Sequence, residues 1–395
     1  VNTWITLHDI GVDVIGTGQP AVGVAFFSDF GRKHYTLEKP QPVYHPTYAS
    51  EGKDGNAKHV IVIMVDGTGF AHLIPRKTAN RGQLSTLGIK NIGFQRNPSP
   101  DSYNTCSSAA ATALFTGEKT DNNLLPMRPD RTPRTNTAEI FVPNGIRVGV
   151  ISTGDITDAT PAANYAHAWD RNDSELIAGQ LPSSGISLLV GPNRRPFHKR
   201  SDSRDIFEEM RARGYAVTHS ADSIALLGEK VICIDDDRFG DYFDASQTGV
   251  LAPVMRDAIK QLDNPDGFFL MFESARIDYA AHVKNLPPVI IETIALDGAI
   301  AEALRFADED GQTLVIVTGD HETGGLALID GDRRRGYVAG YFVSDDHTGM
   351  AVPVYAYGVG AQHFRGFYEN TDIIKKIMSL YGLPRMALTT DQDEK

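Results

Sequence analysis

An α/β fold, with a mostly parallel central sheet and helices on both faces, is predicted by three features of the chain. Short apolar runs alternate with longer helical stretches from about residue 58 onward, the rhythm of strand–helix–strand crossovers. Three of the runs, 60–65, 268–272 and 313–318, are apolar or β-branched throughout, as strands covered on both faces require. Each leads into a carboxylate, Asp66, Glu273 or Asp320, at the C-terminal edge where an open α/β sheet places its ligands.

Along the chain, residues 1–57 are turn-rich and punctuated by Gly and Pro, and are expected to form an N-terminal extension of short strands and loops. Residues 58–395 are expected to form a single α/β domain. Its first strand, 59–65, runs into Asp66 and the turn Gly67-Thr68-Gly69, whose glycines permit a tight reversal. The stretch 107–116 is rich in Ala, opens on Ser107 and is followed by Gly117, a helix with a polar start and a glycine stop. Strands at 147–152, 186–190 and 231–234 alternate with helices at 174–180, 203–213 and 252–262. The strand 267–273 feeds a helix at 275–283, on which Asp278 and His282, four residues apart, share one face. A helix at 289–308 precedes the strand 313–318, which leads to the Asp320–His321 pair. A strand at 353–357 and a helix at 371–381 close the domain, and the polar tail from Thr389 is expected to fray.

A chain of 395 residues has room for such a domain, and contents of 41% hydrophobic and 22% charged residues are ordinary for a globular protein. Fifty acids against 38 bases give a formal charge of −12, which argues against a nucleic-acid partner. No apolar run is long enough to cross a bilayer, so no membrane partner is expected. Two cysteines, Cys106 and Cys233, exclude a framework of several disulfides. Cys233 lies in an apolar run and reads as a buried, inert thiol. The chain opens at Val1 with no basic-then-apolar leader, consistent with a leader already removed.

Asp66, Glu273, Asp278, His282, Asp320 and His321 are more metal donors than one zinc needs. They suggest a cluster of two or more ions, able to clamp both the attacking and the leaving oxygen of a phosphoryl transfer. Ser107 sits at a helix start, where free N–H groups and the helix dipole attract an anion. A hydroxyl there, beside a zinc ion, can lose its proton and attack phosphorus. On residue type alone, Thr105, Cys106 and Ser108 are rival nucleophiles. Asp158 and Thr160 offer oxygen donors suited to magnesium, Arg171 has the planar fork that matches two phosphate oxygens, and His347 is a further zinc donor. Each of these four, taken singly, reads more readily as a helix cap, a surface arginine or a loop histidine.

In combination the motifs resemble those of the alkaline phosphatases, bacterial type, from about His59 to the C-terminal helix. The resemblance rests on Asp-Gly-Thr-Gly at 66–69, the Ser-Ser-Ala-Ala-Ala-Thr-Ala run with Thr-Gly at 107–117 and Asp-Ala-Thr-Pro-Ala-Ala at 158–163. It rests equally on Glu273 through His282, Thr-Gly-Asp-His-Glu-Thr-Gly-Gly at 318–325 and His-Thr-Gly at 347–349. It implies an alkaline-phosphatase-like fold with two zinc ions and one magnesium ion per chain. Asp278, His282 and His347 would hold the first zinc. Asp66, Asp320, His321 and the Ser107 oxygen would hold the second. Asp66, Thr160 and Glu273 would hold the magnesium, with Asp158 supporting it through water. Arg171 would bind the substrate phosphate. The implied reaction is hydrolysis of phosphate monoesters through a phosphoserine at Ser107, with phosphodiester cleavage as the alternative within the superfamily. The resemblance also implies a homodimer and a periplasmic or secreted location. Two departures stand out. Cys106 occupies the place of an Asp that orients the arginine, so a looser Arg171 is expected. Tyr279 replaces a charged or imidazole side chain near the phosphate. The short stretch between His321 and His347 implies a small crown insertion.

Overall fold

The computed structural model describes residues 33–384. Its strands in chain order are β1 (Lys33–Thr36), β2 (His59–Val65), β3 (Asn91–Arg96), β4 (Arg147–Ser152), β5 (Leu188–Gly191), β6 (Ala216–Thr218), β7 (Val231–Ile234) and β8 (Phe268–Ser274). They continue with β9 (Thr313–Thr318), β10 (Glu322–Thr323), β11 (Leu326–Asp332), β12 (Tyr337–Phe342), β13 (His347–Thr348), β14 (Val352–Gly358) and β15 (Gly366–Glu369). Ten form one sheet in the order β15-β3-β14-β9-β2-β8-β4-β5-β7-β6. All neighbours in it are parallel except β14, which runs against both β3 and β9. The mostly parallel sheet with helices on both faces is therefore the observed fold.

The unbroken apolar runs follow from this placement. Along β2 alternate side chains feed two separate cores: Ile61, Ile63 and Val65 enter one, and Val60, Val62 and Met64 enter the other. The strands β8 and β9 divide in the same way, Phe268, Leu270 and Phe272 against Phe269 and Met271, Val315 and Val317 against Leu314 and Ile316. The helices Leu251–Leu262 and Leu286–Asp310 contribute to the first core, and Ser107–Thr116 and Asp372–Leu380 to the second. No face of the central strands meets water, so neither face tolerates a polar residue without a partner.

Every strand and helix expected from the sequence occurs, with ends shifted by no more than three residues. The long helix starts earlier than expected, at Leu286, because Pro287 and Pro288 lie in its first turn, where a missing N–H costs nothing. Of the N-terminal 1–57 segment, residues 1–32 lie outside the described residues. The remainder is tied to the domain: β1 pairs with β12, and Tyr44 and Thr47 bond to Asp308 on the long helix. Between His321 and His347 lie β10 and the β11–β12 hairpin, a small insertion. Among the described residues, no helix is long and apolar enough to cross a membrane.

Candidate active site

The central strands bring the expected donors to one edge of the sheet. Register pairs Met64 of β2 with Glu273 of β8 and with Thr318 of β9, so Asp66, Glu273 and Asp320 emerge side by side. Gly67 carries the chain away from β2 with φ +69°, and a Cβ there would lie 2.7 Å from Asp278 Oδ1. Only glycine lets this turn press against the helix Arg276–His282 that bears Asp278 and His282. His347 arrives on β13, which pairs antiparallel with β10 immediately after His321.

Two groups of donors result. Asp278, His282 and His347 form one, and Asp66, Asp320 and His321 the other, each with its ligand atoms within 4.8 Å of one another. In the first, His282 Nε2 lies 3.1 Å from His347 Nε2 and 3.4 Å from Asp278 Oδ2. In the second, His321 Nε2 lies 3.1 Å from Asp320 Oδ2 and 3.6 Å from Asp66 Oδ1. The rings of His321 and His347 stack with centroids 3.5 Å apart, so the groups adjoin. The far nitrogens are anchored: His282 Nδ1 donates to the Asp345 carbonyl and His347 Nδ1 to the Thr105 carbonyl, both at 2.7 Å, while His321 Nδ1 contacts Thr323 Oγ1 at 3.2 Å. With Nδ1 donating, Nε2 carries the lone pair that a metal takes.

The donor set fits metal ions on three grounds. With both Nδ1 atoms anchored, the Nε2 atoms of His282 and His347 face each other across 3.1 Å, a pair of ligand atoms that one metal ion could share in place of a proton. That separation is near the ~3.3 Å edge of a tetrahedron built with bonds of about 2.05 Å. Asp66 Oδ1, Asp320 Oδ2 and Thr160 Oγ1 are buried without a hydrogen-bond partner. Asp66, Glu273, Asp278 and Asp320 are four buried carboxylates in one place. Burial first, then the neighbouring Asp320, Asp278 and Glu273, pushes the Asp66 carboxyl well above its ordinary range. Burial likewise pushes Glu273 up to about 8, against the opposing hydroxyl of Ser152. Burial works against ionised Asp320 too, but His321 outweighs it and holds that carboxyl down. The bond with Asp278 raises His282 to about 9, with burial opposing. Such crowding of like charges in a low-dielectric site calls for compensating cations.

Ser107 opens its helix with Cys106 as the cap residue, and its Oγ lies 3.1 Å from His321 Nε2. The rival hydroxyls point elsewhere, Ser108 to Cys106 Sγ at 3.0 Å and Thr105 to the Cys106 carbonyl at 3.2 Å. Cys106 Sγ accepts the backbone N–H of Asn123 at 3.2 Å. Burial opposes the thiolate, yet this bond, with Ser108 and Arg171 nearby, leaves the thiol below its usual range. Thr160 faces the Glu273 carboxylate, on which Ser152 Oγ also donates. Asp158 belongs to neither of these two groups; its charge helps to raise Glu273, and it accepts Arg171 Nη2 on Oδ1 at 2.7 Å. The other Asp158 oxygen accepts Tyr279 OH at 2.9 Å. Arg171, expected to be loose beside Cys106, is thus bonded to an acid that Tyr279 also holds. Cys233 is a free buried thiol pushed up to about 12 by its burial.

Residue-type reasoning passed over Thr323, whose hydroxyl donates to Asp278 Oδ1 at 2.5 Å and bridges to His321. Its place two residues after His321 was the available signal. Ser152, at the end of a strand beside Glu273, was equally visible only by position.

A parallel sheet that gathers buried acids, imidazoles and a helix-start serine at its C-terminal edge defines a metal-dependent α/β phosphoesterase. The alkaline phosphatase family model matches residues 57–187 and 198–340. The chain belongs to the alkaline phosphatase family and is a phosphoric monoester hydrolase; diesterase activity is not favoured. Alkaline phosphatase 4 of Bacillus subtilis is 27% identical over 81% of this chain and 88% of its own length. The alkaline phosphatase of Escherichia coli is 25% identical over 84% of this chain and 87% of its own. The structure of alkaline phosphatase from the Antarctic bacterium TAB5 superposes with a TM-score of 0.77 at 30% identity, covering 84% of this chain and 100% of that one. A variant of that enzyme has Mg bound in its M3 site.

Proposed function

We propose that this alkaline phosphatase transfers the phosphoryl group of a broad range of monoesters to Ser107 and then to water, using two zinc ions and one magnesium ion per chain. Asp278, His282 and His347 are assigned to the first zinc. Asp66, Asp320, His321 and the Ser107 oxygen are assigned to the second, and Asp66, Thr160 and Glu273 to the magnesium. The Mg-containing TAB5 variant supports a magnesium in the third place. When bound, the ions supply positive charge that lowers the pKa of a coordinated hydroxyl and neutralises the transferring phosphoryl group.

The chain's own residues do the rest. Arg171 presents two N–H groups to the phosphate oxygens, and Asp158 fixes the plane of that fork. The Ser107 oxygen forms a bond to phosphorus as the bond to the ester oxygen breaks, and the alcohol leaves with a proton. The first free N–H groups of the Ser107–Thr116 helix face the anion. Water then attacks the phosphoseryl group, releasing inorganic phosphate and restoring the hydroxyl. Each in-line attack inverts phosphorus, so the net outcome is retention. Binding energy concentrates on the phosphate, which leaves the alcohol portion little selected.

The observation that carries this reading is the Ser107 hydroxyl, 3.1 Å from His321 where the two donor groups adjoin. The test pairs elemental analysis of the purified chain with hydrolysis of nitrophenyl phosphate before and after chelation. Zinc near two equivalents, magnesium near one, and activity lost on chelation and restored by the metals support it. Full turnover by the metal-free chain, or faster cleavage of bis-nitrophenyl phosphate than of the monoester, sinks it. A homodimer exported to the periplasm or the medium completes the proposal, and sedimentation and cell fractionation test those two points.

A further inference from the structure

Glu322 has no part in the donor groups, yet it touches three of the four segments that carry them, all but the helix of Asp278 and His282. Its side chain is buried, 2% exposed, and follows His321 directly. Its Oε2 accepts the hydroxyl of Thr348, the residue after His347. Its carbon chain crosses Gly69, three residues after Asp66, so closely that a Cβ on Gly69 would fall 2.3 Å from Glu322 Cγ. Gly69 itself has φ −89° and ψ 179°, a conformation open to any residue, so the need for glycine here is contact with Glu322 alone. The ladder between β10 and β13 consists of two residue pairs, Glu322 with Thr348 and Thr323 with His347. A two-residue ladder cannot hold a register by itself. The Glu322–Thr348 bond, a hydroxyl donating to a carboxylate, is of the strong kind and closes that ladder.

We infer that Glu322 is a positioning residue that locks the His347 strand onto the His321 turn, and thereby retains the metal held by Asp278, His282 and His347. The inference rests on the ligand assignments proposed above. It separates holding the site together from the chemistry, because Glu322 reaches neither the nucleophile nor Arg171. It also gives Gly69 a defined task, to leave room for the clamp.

The test follows metal loss from the loaded enzyme under a chelator, by elemental analysis over time. Glu322→Ala and the milder Thr348→Val should each release one equivalent roughly 10–100-fold faster than wild type, the range for removing a group that orients a ligand. The remaining equivalents should leave at the wild-type pace. Glu322→Gln still accepts from Thr348 and should restore most of the retention. Gly69→Ala should reproduce the Glu322→Ala phenotype with the carboxylate still present, and the double variant should be no worse than either single one. Release of every equivalent faster in parallel, as general loosening would give, overturns the clamp. So does wild-type retention in Glu322→Ala. If wild-type enzyme carries no metal at all, the ligand reading falls first and the clamp falls with it.

Discussion

Asp158→Asn tests whether Asp158 serves the arginine or the third metal. In the structure one oxygen of Asp158 accepts Arg171 Nη2 at 2.7 Å and the N–H of Ala159 at 2.7 Å, and the other accepts Tyr279 OH at 2.9 Å. Asparagine keeps an acceptor for the helix cap and for Arg171 but loses the charge. A charge-assisted bond is roughly twice as strong as a neutral one, so about 1–1.4 kcal/mol of Arg171 orientation should be lost. That loss corresponds to a roughly 5- to 10-fold rise in the inhibition constant of inorganic phosphate. Tyr279→Phe acts one bond further away and should raise it about 2- to 5-fold. Arg171→Ala, which removes the fork itself, should exceed both. The assay is competitive inhibition by phosphate at fixed pH, repeated with excess magnesium. If excess magnesium restores Asp158→Asn to wild-type values, Asp158 works through the metal and the orienting argument is wrong. An inhibition constant unchanged within a factor of two in all three variants refutes it as well.

Ser107→Ala should abolish the covalent intermediate, read as loss of label from radioactive phosphate at acidic pH, and full turnover by this variant would displace Ser107 as nucleophile. Cys106→Asp should give Arg171 a second acidic partner and tighten phosphate by about 2- to 5-fold; unchanged affinity would show that Asp158 already saturates the arginine. Stability should depend on pH with opposite sign in the metal-free and loaded chains. Burial raises Glu273 from 4.5 to about 8, so between those values the metal-free fold keeps a proton that the unfolded chain has released. Its stability must fall as pH rises through that window, by up to about 1.4 kcal/mol per pH unit for this one group. Metal binding needs the carboxylates ionised, so the loaded chain should gain stability over the same rise. Calorimetric scans from pH 5 to 9 with and without metals should diverge, and parallel slopes would contradict the burial argument.

The central strands were legible because both faces are covered, which leaves no residue to blur the apolar run. β3 was not, and its pattern shows why. Asn91, Gly93 and Gln95 point inward and Ile92 points out, the inverse of the usual alternation. The inward positions are polar or small for local reasons: Gln95 donates to Thr318 Oγ1 and the Gly319 carbonyl, and a Cβ on Gly93 would meet the Phe364 carbonyl. Five of the six donors were legible because each sits at a strand end or at helical spacing on one face, whereas His347, in a loop by its sequence, was reached through the family resemblance. The Asp158–Arg171–Tyr279 chain was not, since no spacing rule relates residues 158 and 279, and the link exists only once β4 and β8 lie side by side. Glu322 was hidden for another reason: it stands within the 318–325 motif, and its partners Gly69 and Thr348 are far from it in sequence.

The two-sided burial of β2, β8 and β9 has a consequence for folding accuracy. When one face of a strand is wet, sliding it along its neighbour exposes apolar side chains and is penalised at once. Here Ile, Val, Met, Leu and Phe occupy both faces, and a slip of two residues exchanges one oily side chain for another. Such a slip would still carry Asp66 about 6.6 Å from its neighbours, too far to share a cation. A cation shared by Asp66 and Asp320 would therefore be bound in the native alignment alone, and would add a penalty against slippage to the one that packing supplies.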